Sequence, residues 1–541
     1  MAEGGDTRRP RVGVPKECLA PHAVARWAAE APDRLAVVDV AGPAFTYREL
    51  DTAARTWAGA YRRIGVGAGD HVATLLPNGV DAHLAWLGLG WLVARDVPLN
   101  NALVGELLHD ALLRSDATVL VVDASFASRL AELPPLPELR TVVVIGDADL
   151  DRSRGYDVVT LEEFLDGATP PDDLVGPVYR DVAVVLFTSG TTGPSKPVLV
   201  PWANVYQFWS WVPEDTLHEG EALYCPLPVV HNSGRSSLNY ALVRGATFVY
   251  RERFSGTAFW DDVRAHDCKA AALVGPLTAF LHAQPPRPDD ADNPLRAVIC
   301  GPLIPDIEGF KARFGVKVAT CYGMTETGVS LTTDWDHGPV TACGRKRPDY
   351  PWPEVRIVDE NDEPLPVGEV GELVVRAAEP WSLNAGYYKM PEATAAAWRN
   401  GWFHTGDAFR CDEDGNYHLV DRLKDAIRRR GENISSFEVE NIVRGYPGVA
   451  DCAAIGIRDE LGDDEVMVVV EPAEGATIDP PALREWLEPR MPKFMLPRYV
   501  DIGTLPRNAT TQRVRKYELR ERGITPTTWD AQAADKEVNA R

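Results

Sequence analysis

Apolar positions along the chain follow two rhythms. Short runs rich in β-branched residues recur as "VATLL" (72–76), "TVLVVD" (118–123), "TVVVIGD" (141–147), "VAVVLF" (182–187) and "AVIC" (297–300). Their near-continuous apolar character predicts strands buried on both faces. Between several of them lie stretches with helical spacing, such as "ELDTAARTWAGAYRRIG" (49–65). Strands alternating with helices predict α/β layers built on largely parallel sheets. The longest apolar run, His83 to Ala94, falls far short of the ~20 residues a membrane span needs and predicts a buried helix.

The texture changes after about residue 350. "EVRIVDENDEPLPVGEVGELVVRA" (354–377) reads as alternating strands joined by Asp/Asn/Gly/Pro turns. A second shift comes at "VDRLKDAIRRRG" (420–431). Beyond it, "SSFEVENIVRG" predicts a capped helix, "VADCAAIGI" and "EVMVVVEP" strands, and "PPALREWLEPRM" a helix opened by proline. The final "TPTTWDAQAADKEVNAR" predicts a frayed tail. The pattern divides the chain into a tail (1–20), a large domain (21–423), a small domain (424–523) and a second tail (524–541). The fold class expected is α/β: layered α/β subdomains plus a β-rich subdomain, then a small α+β C-terminal domain.

Composition narrows the function only coarsely. The chain has 541 residues, ample for more than one domain. Its formal charge of −23 argues against a general binder of nucleic acid or anionic membrane. The eight cysteines form no CxxC pair and no Cys/His cluster with zinc spacing, so reduced cysteines in a cytoplasmic protein are expected. "MAEGGDTRRPRVGVPKE" has no apolar core and is not expected to act as a secretory signal.

Three stretches carry candidate chemistry. "LFTSGTTGPSKPVLVP" (186–201) places Thr, Ser, Gly and one lysine, Lys196, between two apolar runs. Unobstructed backbone N–H groups and hydroxyls suit the oxygens of a phosphate chain, with Lys196 as the point charge. The order is not GxxxxGK[ST], and a solvent-exposed linker has the same composition. "TCYGMTETG" (320–328) adds an aromatic, glycines, hydroxyls and one carboxylate, Glu326. "NGWFHTGDAFRCDEDGNYHLVDRLKDAIRRRGENISSFEVE" (400–440) adds Asp407, Arg422, Lys424 and a basic loop containing Gly431.

In this order the three stretches resemble the adenylate-forming superfamily of acyl- and aryl-CoA synthetases, peptide-synthetase adenylation domains and beetle luciferases. The resemblance runs from about 20 to 522 and includes "FTYRELDTAARTWAGAYRRIGVGAGDHVATLLPN" (45–78). "DAIRRRGENISSFEVE" is most similar to the crotonobetaine/carnitine-CoA ligase-like branch. The resemblance implies that Thr188, Ser189, Gly190, Thr191, Thr192, Gly193 and Lys196 close over the β- and γ-phosphates of ATP. It implies adenine-binding walls at Gly301 and Pro302 (of "GPLIP") and at Tyr322 and Gly323. Thr325 then contacts the α-phosphate, Glu326 holds Mg²⁺, and Asp407 and Arg422 take the ribose. Lys424 becomes the hinge of a mobile small domain, and Gly431 lines the pantetheine tunnel. In "YCPLPVVHNSGRSS" (224–237), His231 corresponds to the residue flanking the acyl pocket and gating the thiol. A histidine at a helix N-terminus is the structural alternative. Arg235 reads either as a pocket group for a polar acid or as a solvated charge.

The implied reaction is attack of a small or medium carboxylate on the α-phosphorus of ATP, then displacement of AMP by CoA. The C-terminal motif departs from the family pattern P-[KR]-T-x-[ST]-G-K-[VI], reading "LPRNATTQRVRKYELR" (505–520). Counting from Pro506 puts Gln512 at the lysine position. Counting back from "VRKYELR" puts Arg513 there, which the longer match and the retained charge favour. Arg is not equivalent to Lys, so Lys516 is the other candidate to reach in. Pro197 and Trp202 also stand where Gly and His are usual. The alternatives are transfer to a free-standing carrier protein, nitrite activation for diazotisation of an aryl amine, or a nucleotide-binding scaffold without turnover.

Overall fold

The computed structural model describes residues 13–533, apart from 149, 151–153, 189–194, 305, 337, 351–352, 423–425, 431, 460–461, 508–513 and 515. The side chains of 420–422, 426, 433, 435, 437 and 517 also lie outside the description. The apolar runs of the first half build two seven-stranded sheets. The first runs Asp157–Thr160, Thr141–Ile145, Val119–Asp123, His71–Leu75, Arg95–Pro98, Val182–Thr188, Lys196–Pro201. Its strands are parallel until the last pair, which is antiparallel. The second runs Lys317–Ala319, Ala297–Gly301, Cys268–Val274, Ala222–Tyr224, Thr247–Tyr250, Leu35–Asp39, Ala44–Thr46 and again ends antiparallel.

Helices bury these sheets. Tyr47–Arg63 starts at a capping box in which Thr46 and Glu49 satisfy each other's backbone N–H groups. Val80–Trp91 is buried at every residue from Ala82 to Trp91, as its unbroken apolar run requires. One core joins both sheets through these helices and Asn232–Arg244, with Val72, Val184, Trp57, Trp86, Leu238, Phe248 and Ala272 all in it. Among the described residues, no helix is long and apolar enough to cross a membrane.

The region after 320 folds as an eight-stranded sheet. The alternating pattern over 354–377 becomes Pro353–Val358 and Val370–Ala377, antiparallel with Val355 opposite Val375. A smaller domain follows. The helix Ser436–Arg444 and the strands Val449–Arg458, Asp464–Pro472 and Tyr499–Ile502 surround a core that includes Val439, Val466, Val468 and Leu483. The helix opened by proline spans Pro480–Leu487, with Asp479 as its cap.

The end of this domain corrects one expectation. Residues 525–533 are not frayed: Trp529–Asp530 pairs antiparallel with Tyr499–Ile502. Arg498 holds Asp530 through two 3.2 Å contacts, and Ala531 is buried. A polar segment reads as tail, but the strand Tyr499–Ile502 offers an edge that this segment covers.

Candidate active site

The hairpin of Cys321–Met324 and Gly328–Thr332 is the spine of the site. Its strands approach so closely that a Cβ on Gly323 would collide with the carbonyl oxygen of Gly328. Thr325, Glu326 and Thr327 form the turn, with Thr327 N donating to Met324 O at 3.2 Å. The Glu326 carbonyl oxygen is gripped from behind by Asn384, whose backbone N (2.7 Å) and Nδ2 (2.9 Å) both donate to it. The carboxylate is thereby aimed by a rigid backbone rather than by its own flexible stem.

Thr188 and Lys196 face each other as the last registered pair of an antiparallel ladder. Thr188 Oγ1 donates to Glu326 Oε1 at 3.4 Å, and Tyr387 Oη donates to the same oxygen at 3.1 Å. Lys196 Nζ lies 4.8 Å from the centre of the Tyr387 ring. The structure therefore brings Thr188, Lys196 and Glu326 together around Tyr387. Burial and the Glu326 carboxylate push the Tyr387 pKa far up, so its hydroxyl stays a donor. Sequence reasoning missed Tyr387; nothing in "GYYK" marks one tyrosine as functional.

On the same hairpin, Tyr322 Oη donates to Asp407 Oδ2 at 2.6 Å. Asp407 is buried, and its backbone N donates to Thr405 Oγ1 at 3.1 Å. Asp407 and Arg422 are direct cross-strand partners, which sets both at one level of the sheet. Gly301 ends its strand and joins Pro302 through a cis peptide bond. Ser189, Gly190, Thr191, Thr192, Gly193, Lys424, Gly431, Gln512 and Arg513 lie outside the described residues, as does the side chain of Arg422.

His231 is the N-cap of Asn232–Arg244 but makes no side-chain capping bond. Its Nε2 instead faces Glu432 Oε2 of the small domain at 3.5 Å. Asn100 Nδ2 reaches the same carboxylate at 3.3 Å. Desolvation pulls the His231 pKa down, but the Glu432 charge and hydrogen bond pull harder, and the net shift is upward. Desolvation acts to raise Glu432, and His231 reverses it to a net depression. Both shifts describe an ion pair between the domains. A second cross-domain contact runs from Ser195 N to Glu438 Oε1 at 2.8 Å.

Two cations differ from expectation. Arg235 is not a solvated charge; it is buried in a pair with Asp96. Lys516 is held inside the small domain, its Nζ 2.6 Å from Glu440 Oε1 and 2.8 Å from Ser436 Oγ.

Comparison with known proteins gives the chain's family and fold relatives. Residues 24–388 match the family model described as AMP-binding enzyme, and 438–511 match the AMP-binding enzyme C-terminal domain. A crotonobetaine/carnitine–CoA ligase of Salmonella typhimurium is 32% identical over 488 residues, 87% of this chain and 92% of that protein. Among solved structures, a double mutant of o-succinylbenzoate CoA synthetase from Bacillus subtilis, bound with its product analogue, superposes with a TM-score of 0.80. It is 23% identical, and the match covers 93% of this chain and 98% of that one. The amide bond synthetase McbA from Marinactinospora thermotolerans gives a TM-score of 0.77 at 27% identity, covering 92% and 99%.

Proposed function

The chain belongs to the AMP-binding enzyme family as an AMP-forming acyl-CoA synthetase, and from that premise we propose that it adenylates a small or medium carboxylic acid with Mg²⁺-ATP and then transfers the acyl group to CoA. The observation that carries this reading is the junction of Thr188, Lys196, Glu326 and Tyr387, the first two flanking the Ser/Gly/Thr-rich stretch in sequence. One carboxylate beside a phosphate-binding loop fits Mg²⁺, which binds through one or two carboxylates plus phosphate oxygens. Glu326 is the residue that would hold the ion. Bound there, the ion would neutralise charge on the transferring phosphate.

The chain's own groups supply the rest. Lys196 places positive charge beside the β- and γ-phosphates, and Arg513 supplies the cation between carboxylate and α-phosphate. Asp407 accepts the ribose hydroxyls, its Oδ2 already oriented by Tyr322. Attack of the substrate carboxylate oxygen on the α-phosphorus forms the acyl-adenylate and releases pyrophosphate. Attack of the CoA thiolate on the acyl carbon then forms the thioester and releases AMP. His231 and Glu432 flank the thiol path for this second step.

The test is turnover of Mg²⁺-ATP over a panel of acids that begins with crotonobetaine and carnitine, the acids in the Salmonella ligase's name. Each acid is run with and without CoA, and nitrite with an aryl amine is run in parallel. AMP together with an acyl-CoA for one acid supports the proposal. ADP as product overturns the adenylation step, and AMP with no CoA product overturns CoA as acceptor.

A further inference from the structure

Arg235, 1% exposed, lies on the first turns of Asn232–Arg244. Its guanidinium pairs with Asp96, wholly buried on the strand Arg95–Pro98 of the first sheet. Asp96 Oδ1 also accepts a 2.8 Å hydrogen bond from Thr74 Oγ1, one strand further on. The Arg235 guanidinium carbon stands 5.2 Å from the Trp86 ring centre, and His83, beside Arg235, and Tyr61, beside Asp96, are titratable neighbours of the pair. Burial and the Arg235 charge drive the His83 pKa down to about 3, so His83 adds no competing charge. The remaining guanidinium contact leads toward the active site: Arg235 Nε donates to Val229 O at 2.6 Å.

Val229 lies two residues before His231, in a loop pressed against the helix. His231 N donates to Pro228 O at 3.1 Å. A Cβ on Gly234 would strike the carbonyl oxygens of Pro228 and Leu227. Contacts therefore run from Thr74 through Asp96 and Arg235 to Val229; two residues further along the backbone, His231 faces Glu432 across the domain boundary. A well-packed apolar pair in place of a buried ion pair often stabilises a fold as well or better. What an apolar pair cannot do is fix a carbonyl from a forked, directional donor.

We propose that Arg235 is a positioning residue for acyl transfer: tied to Asp96, it fixes the loop at Val229 and so sets where the His231 ring stands against Glu432. The functional part of this assignment rests on the reading of His231 as the group flanking the thiol path. Lysine, a point charge on a flexible stem, cannot hold Asp96 and Val229 O together.

The test follows the His231 ring by NMR in full-length protein labelled at histidine, the resonance being assigned with His231→Asn. Glu432→Gln gives the titration midpoint of a ring that has lost its partner. Arg235→Lys and Asp96→Asn are expected to lower the His231 midpoint by about half a pH unit or more toward that value. Thr74→Val keeps the ion pair and the volume and is expected to give a smaller fall. A folded Arg235→Lys protein in which His231 titrates as in the unaltered chain overturns the proposal. If both charge-altering variants fail to fold, an unmoved midpoint in Thr74→Val overturns it and a lowered one supports it. CoA titrated calorimetrically into the same AMP-loaded variants separates the two readings. A moved midpoint with unchanged CoA affinity keeps the positioning role and removes His231 from the thiol path.

Discussion

Glu438, in the first turn of the small domain's helix Ser436–Arg444, accepts a hydrogen bond from the backbone N–H of Ser195, the residue immediately before Lys196. A carboxylate thus sits against the end of the loop assigned to the β- and γ-phosphates. Carboxylate and phosphate are acceptors of the same kind, and both cannot use one N–H. Burial raises the Glu438 pKa overall, with the Ser195 N–H opposing it.

From this contact, Glu438→Ala is expected to weaken docking of the small domain on the loop. The KM for ATP should fall, by about threefold to tenfold, because a charge-assisted hydrogen bond is worth about 1.5–3 kcal/mol before partial compensation. Acyl transfer from preformed acyl-adenylate to CoA should slow. Pyrophosphate exchange and single-turnover thioester formation, measured separately, check the two effects. An unchanged KM for ATP would show that the contact and ATP do not compete.

The His231–Glu432 pair gives a pH dependence with a definite sign. His231 is raised by docking against Glu432, so its contribution is present at low pH and is lost as pH rises through the elevated docked value. Glu432 is depressed, so its contribution is present above the ordinary carboxylate range and is lost as pH falls through the depressed value. The clasp is therefore strongest between about pH 4.5 and the ordinary histidine value of about 6.5, and weakens above it. Energy transfer between dyes on the two domains should fall on the alkaline side. Glu432→Gln should flatten that limb, and a limb that persists in this variant must come from another group.

Tyr387 provides a test of the Glu326 assignment. Tyr387→Phe removes the 3.1 Å donor to Glu326 Oε1 but keeps the ring beneath Lys196. A net loss of about 1 kcal/mol corresponds to a roughly fivefold slower pyrophosphate exchange. Glu326→Gln should cost about a hundredfold or more, and added Mg²⁺ should not recover it. Equal losses in the two variants would mean that Tyr387 does more than orient the carboxylate.

The difference between these residues also shows where sequence is legible. The buried strands announced themselves because both faces are apolar, whereas the composition of the stretch from Thr188 to Lys196 also suits a solvent-exposed linker and pointed to phosphate only in the company of the other two motifs. Glu326 stood out as the lone carboxylate in a Gly/Thr turn. Tyr387, Asn384 and Asp96 had no such mark. Their roles arise from contacts across 61, 58 and 139 residues of sequence, and local pattern carries no information about those. Arg235 was conspicuous, but its partner was not. The strand Trp529–Asp530 was hidden for the same reason, since a polar segment becomes a strand only when an edge is waiting for it.

The proposed place of Arg513 at the C-terminal motif leads to the sharpest separation of roles. Lys516 is committed to Glu440 and Ser436, and Glu440 is itself buried and also accepts from Ala454 N at 2.9 Å. Lys516→Ala removes one of two cations on that carboxylate, Arg444 Nη2 remaining 3.5 Å from Oε2, a loss of about 1.5 kcal/mol for a hydrogen bond to a charged group. The expected result is a lower unfolding midpoint for the small domain, with adenylation per folded molecule little changed. Arg513→Ala should do the reverse, keeping the unfolding midpoint while slowing pyrophosphate exchange by about a hundredfold. Arg513→Lys should restore exchange at least to the level of the unaltered chain, because a compact ammonium fits between two oxygens where a guanidinium is bulky. Urea unfolding and pyrophosphate exchange on the three variants decide the matter. If Lys516→Ala instead abolished exchange while leaving stability intact, the catalytic cation would be Lys516, and its ion pair with Glu440 would have to break during each turnover.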